Sequence, residues 1–100
     1  MRYVMVRYRV HADRAQENEA LVRAVYDELL ATGPDGLRYA TFKLDDGLSF
    51  MHIAETEEGA NPLAETQAFK EFQAQIKDRC QEQPVVSELA RVGSYRMLTG

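Results

Sequence analysis

A single cysteine, Cys80, leaves this 100-residue chain without any intrachain disulfide, which fits a reducing compartment. Only two histidines are present, His11 and His52, and they lie far apart in sequence. With one distant cysteine they give no ligand spacing of a zinc or iron site, so no metal is expected. Nowhere do ~18 apolar residues run together, which argues against a membrane span. Arg2, Arg7 and Arg9 interrupt any apolar run that would serve as a signal-peptide core, so a cytoplasmic protein is expected. Lys and Arg total 12 against 16 Asp and Glu, for a net charge of −4. That balance speaks against a surface that tracks nucleic-acid phosphates. Neither Gly33-Pro34-Asp35-Gly36 nor the later Asp45-Asp46-Gly47 has the spacing of a phosphate loop or a dinucleotide fingerprint, so no nucleotide cofactor is expected.

What is present is an ordinary globular composition, 45% apolar and 28% charged. A chain of this length forms one domain, expected over residues 1–100, and buries roughly 60–70% of its unfolded surface. In the middle, two apolar-rich runs meet at Asp45-Asp46-Gly47, where a glycine tolerates the left-handed backbone of a tight hairpin. A helical pattern flanks each side. Asp13 and Gln16 resemble a capping box, and Ala15, Leu21, Val22, Val25, Leu29 and Leu30 recur at helical spacing until Gly33-Pro34 stops them. For the second helix, Asn61-Pro62 suits an N-cap and first-turn pair. Thr66 caps a main segment through about Cys80, with Phe69, Phe72, Ile76 and Cys80 as its apolar stripe. Pro84 is expected to return the chain to an extended form. Cys80, at the end of that stripe, reads as a buried spacer rather than a nucleophile.

Strand-like runs beyond each helix complete a β-α-β-β-α-β order. Right-handed crossovers then give a ferredoxin-like α+β fold: a four-stranded antiparallel sheet in the order 4-1-3-2, with both helices on one face. Val4, Val6, Tyr8 and Val10 share one side of the first strand, with Tyr3 and Met5 opposite. In the third, Leu48 and Phe50 oppose Met51 and Ile53. Two helices cover one apolar face only, so the second requires a cover, and another copy of the chain is the simplest one. A homodimer is expected.

The strand Leu48-Ser-Phe-Met-His-Ile-Ala-Glu55, then Asn61-Pro-Leu63, Thr66-Gln-Ala-Phe69-Lys-Glu-Phe72 and Val92-Gly-Ser-Tyr95-Arg96, resembles the antibiotic-biosynthesis monooxygenase-like domains of the dimeric α/β-barrel superfamily. The resemblance implies a homodimeric barrel with a cavity between sheet and helices in each subunit. Some members oxidise polyphenols or quinols with O₂ and no cofactor, and relatives degrade haem, isomerise small molecules or have no known activity. Glu55 matches the family's strand glutamate. Glu57 stands where an aromatic residue is common, Ala60-Asn61 replaces a frequent histidine, and there is no tryptophan. These departures argue against haem degradation.

A cofactor-free oxygenase deprotonates an electron-rich substrate and holds the anion near O₂ inside an apolar cavity. His52, mid-strand with an ordinary pKa near neutrality, is the expected base. Tyr39, Tyr95 and Tyr26 are candidate phenol donors, Arg9 a candidate anion holder and Phe72 a candidate apolar contact; Arg9, Tyr39, Phe72 and Tyr95 make up the expected substrate site. His11 reads as an exposed loop residue and Glu55 as scaffold. Three functions remain open: an oxidoreductase acting on an aromatic or quinol-like compound, a non-catalytic dimer that binds a small apolar or aromatic ligand, and a barrel with no useful cavity that acts through protein partners.

Overall fold

The structure, a computed structural model, describes residues 1–59 and 61–97. Its elements are β1 (Arg2–Val10), α1 (Ala15–Thr32), β2 (Leu37–Lys43), β3 (Ser49–Thr56), α2 (Gln67–Ala74), the short α3 (Ile76–Arg79) and β4 (Cys80–Leu89). The strands form one antiparallel sheet in the order β2-β3-β1-β4, as the crossover rule requires. This is the ferredoxin-like α+β arrangement. No helix among the described residues is long and apolar enough to cross a membrane.

Between β2 and β3 the hairpin forms where expected. Asp46 accepts from the Leu48 and Ser49 amides and from the Ser49 hydroxyl, while Gly47 takes a φ of +73°. Gly33 ends α1 in the left-handed region, its N–H donating to the Leu29 carbonyl. At the start of α1 the expectation fails. Asp13 does not cap; it lies in a 3₁₀ turn, Ala12–Arg14, and Arg14 instead reaches Glu17 at 2.7 Å. Leu30 is also not core, being 84% exposed, because within α1 it falls about a quarter turn or more off the face that buries Asn18, Val22 and Val25.

Thr66 caps α2 as expected, its hydroxyl accepting from the Phe69 amide, and Asn61 accepts from the Ala64 amide. The helix is shorter than the stripe suggests. It stops at Ala74, and only the four-residue α3 follows before β4 begins at Cys80. Extension therefore starts well before Pro84. That proline sits inside β4, where the register slips between Arg7 and Arg9 of β1, and an edge strand with a bulge tolerates its missing N–H.

Alternation decides what each sheet face carries. Tyr8 and Val10 of β1 and Phe50 of β3 are buried under Val22 and Val25 of α1 and Phe72 of α2. Tyr8 stacks on Phe50 with centroids 5.7 Å apart and meets Phe72 at 6.1 Å. The opposite face presents Met5, Met51 and Ile53, half-buried, with Phe42, Leu89 and Val85 exposed. Cys80 is buried and its thiol is pushed up by that burial, consistent with a spacer.

Candidate functional site

His52 pairs with Val6 of β1 and Thr41 of β2, so it shares its face with Phe50 and points at the helices. It is 5% exposed. The imidazole lies between two tyrosine rings, 5.4 Å from Tyr8 and 5.8 Å from Tyr39, with Phe72 tilted against it at 5.5 Å. Both ring nitrogens are engaged. The Tyr8 hydroxyl lies 2.8 Å from Nε2, the Tyr39 hydroxyl 2.6 Å from Nδ1, and Thr41 Oγ1 2.9 Å from the same Nδ1. Tyr26 extends the group, its hydroxyl 2.7 Å from Thr41 Oγ1 and its ring stacked on Tyr39.

On the other side, Asn18 of α1 is wholly buried and donates from Nδ2 to the Tyr8 oxygen at 2.9 Å. Arg79, 1% exposed, donates from Nε to Asn18 Oδ1 at 3.1 Å and from Nη2 to the Phe72 carbonyl at 2.7 Å. The Phe72 carbonyl belongs to the last turn of α2, where helix carbonyls lack intrahelical partners, so the guanidinium satisfies one of them. Its Cζ also lies 5.3 Å from the Phe72 ring centroid. A continuous polar thread, Arg79–Asn18–Tyr8–His52–Tyr39/Thr41–Tyr26, thus crosses an otherwise apolar core.

Burial dominates the electrostatics. It pushes the His52 pKa down to about 4, so the imidazole is neutral at pH 7, and it raises the phenols of Tyr8, Tyr39 and Tyr26. The Arg79 pKa is lowered by the same cause.

Beside this thread, between sheet and helices, is a cavity of about 340 Å³. Tyr8, Tyr39, His52, Leu63, Phe69 and Phe72 form much of its wall, and among its described lining residues there is one formal charge, Arg2, and no carboxylate. The volume and lining suit a small, largely apolar ligand with one polar end.

Of the expected site residues, the structure brings together His52, Tyr39 and Phe72. Arg9 is elsewhere: alternating with Tyr8 and Val10, it lies on the opposite sheet face, across from Ser49 and Glu82. Tyr95 is 80% exposed in the segment after β4, with the Arg96 guanidinium 5.0 Å over its ring, and does not line the cavity. Tyr26 acts through Thr41 rather than on the cavity. His11 is exposed, Glu55 accepts from the Tyr3 hydroxyl at 3.3 Å on the opposite face, and Ala60 is outside the described residues. Nor is His52 a free base, because each of its nitrogens already has a hydrogen-bond partner. Tyr8, Thr41, Asn18 and Arg79 did not figure in the sequence reading of the site.

No family model matches the sequence and no curated protein matches it. Solved structures do match. An antibiotic biosynthesis monooxygenase superposes with a TM-score of 0.76 at 18% identity, covering 93% of this chain and 100% of its own. The chain has the antibiotic-biosynthesis monooxygenase-like fold. PA3566 from Pseudomonas aeruginosa superposes at a TM-score of 0.75 and 18% identity, covering 92% of this chain and 94% of its own. SnoaB, a cofactor-independent oxygenase from Streptomyces nogalater, matches as a point mutant at 0.69 and 15% identity, covering 95% and 96%. At these identities the likeness concerns the fold.

Proposed function

We propose that the chain is a cofactor-independent monooxygenase of a small phenol or quinol, with the cavity beside His52 as its active site. One observation carries this reading: a buried imidazole and a phenol, 2.6 Å apart, stand at the wall of an apolar cavity of about 340 Å³. The fold likeness to structures named as monooxygenases supports it. In such a reaction a phenol and O₂ give a quinone and water. One oxygen atom enters the ring, the other leaves with two substrate hydrogens, and the substrate supplies all the electrons. Tyr39 is the polar group that meets the substrate oxygen, His52 holds Tyr39 in place, and Phe72 packs on the ring.

The test is oxygen uptake by EDTA-treated protein with 1-naphthol or a hydroquinone under ¹⁸O₂. One labelled atom in the quinone and one in water is the expected result. The saturated hydrogen bonding of His52 favours a second reading, ligand binding without turnover. Binding of the same phenols with no oxygen uptake would establish it in place of the first.

The domain, residues 1–100, is proposed to work as a homodimer through its uncovered sheet face. A groove of about 620 Å³ on that face, bordered by Tyr3, Ile53 and Leu89, adds to the apolar surface left open. Sedimentation at micromolar concentration should give about twice the 11.4 kDa chain mass. A monomer at high concentration would refute the dimer.

A further inference from the structure

Arg79 can only donate hydrogen bonds. Its Nε–H therefore fixes the amide of Asn18 with Oδ1 toward the guanidinium and the NH₂ toward Tyr8. The Tyr8 oxygen accepts from that NH₂, and the other partner of its hydroxyl is His52 Nε2 at 2.8 Å. Were Nε2 protonated, its hydrogen too would point at the Tyr8 oxygen. The phenolic hydrogen would then be buried without an acceptor, an arrangement that folded proteins avoid. Tyr8 thus donates to a bare Nε2, and the neutral imidazole carries its hydrogen on Nδ1. That hydrogen goes to the Tyr39 oxygen at 2.6 Å and, shared, to Thr41 Oγ1 at 2.9 Å. Having accepted, Tyr39 has its own hydrogen to give. Thr41 is near enough to hold it when no ligand is bound, and the cavity is the other direction open to it.

The geometry points to a one-way chain of donors from Arg79 to Tyr39, in which Arg79 and Asn18 are positioning residues and the cavity recognises the anionic oxygen of a phenolate or enolate. This rests on the His52 cavity being the ligand site. Two further features agree with it. Among the described residues no carboxylate forms an ion pair with Arg79; Glu17, the one carboxylate whose charge acts on it, is itself held by Arg14 through both oxygens, so the Arg79 charge polarises the chain in one sense. The described cavity wall holds Arg2 and no Asp or Glu, so no fixed negative charge opposes an anion there. A donor fixed in a dry site stabilises charge on an acceptor far better than water does. In this arrangement the ligand sheds its proton to solvent on binding, and no residue has to act as its base.

Asn18→Asp reverses the polarity with almost no change in shape. A carboxylate accepts from Arg79 and has nothing to donate, so Tyr8 turns its hydrogen toward residue 18. Nε2 must then donate to Tyr8, and Nδ1 accepts from Tyr39. The new charge pairs with Arg79, which favours folding of the variant. Two readouts are used. Nitrogen-detected NMR of ¹⁵N-histidine-labelled protein reports the tautomer. The absorbance of 4-nitrophenol at its half-ionisation pH reports the form in which that probe is bound.

The expected result is the Nδ1–H tautomer in the parent and the Nε2–H tautomer in Asn18→Asp. The parent should bind the yellow phenolate with a preference of about tenfold, one pKa unit, and the variant should favour the neutral phenol. An Nε2–H tautomer in the parent overturns the proposal even if the variant does not fold, as does one tautomer common to both proteins or binding of the neutral phenol by the parent. Phenolate binding without oxygen uptake would sustain the donor chain and remove only the catalytic reading.

Discussion

Tyr39→Phe should lower phenol turnover by about 10²–10³-fold, the usual consequence of losing one fixed donor to a developing oxyanion. Binding through the rings should persist. The phenylalanine keeps the stacking on Tyr26 at 5.2 Å and on His52 at 5.8 Å, and Thr41 at 2.9 Å remains as a partner for Nδ1. The fold should therefore survive, and the loss should be read in kcat/KM: because Tyr39 also meets the oxygen of the bound substrate, KM should rise as kcat falls. Tyr26→Phe is the control: it removes a hydroxyl that touches Thr41 and not the cavity, and its effect should stay within a few-fold. Initial rates and thermal melting of the two variants decide the matter. A Tyr39→Phe protein as fast as the parent would move the reaction away from the His52–Tyr39 pair.

Acid should weaken the fold through His52. Its pKa is depressed by burial from 6.5 to about 4. In the unfolded chain the imidazole takes up a proton as pH falls below 6.5, whereas in the folded chain it resists until about 4. The stability tied to the neutral form is complete above 6.5, declines between 6.5 and 4, and is gone below. The difference amounts to about 3 kcal/mol, or roughly 12–25 °C in Tm for a domain of this size. His52→Gln isolates the effect, because it keeps hydrogen-bonding capacity and cannot titrate. The Tm advantage of the parent over this variant should shrink by that amount between pH 7 and pH 4. Parallel curves would show that His52 is solvated.

Much of this was legible from spacing. Alternation along β1 put Tyr8 and Val10 on one face, the Asp-Asp-Gly turn set the hairpin, and the β-α-β order set the strand order. Alternation also held the answer for His52, which has the parity of Phe50 and so had to face the helices. Two further signals lay in the helical stripes. Asn18 stands among Ala15, Val22, Val25 and Leu29, and Arg79 stands three residues after Ile76, each a polar group at a core position. A buried polar residue needs a partner, and the two are 61 positions apart in sequence, so only the tertiary packing of α1 against the end of the second helical segment reveals that each satisfies the other. The early end of α2 and the position of Tyr95 depend on such packing as well, and no local pattern encodes them, whereas the faces of Arg9 and Leu30 follow from strand alternation and helical spacing.

Pro84 bears on how the sheet meets other proteins. β4 is one of the two sheet edges, and a bare edge invites an extended segment from another chain to add itself as a fifth strand. A proline offers no N–H to such a segment, and the slipped register around it bends the edge out of line. Along this border the ladder cannot simply be continued, which protects the chain from growth into strand-paired aggregates and leaves face-on approach as the open route for another copy.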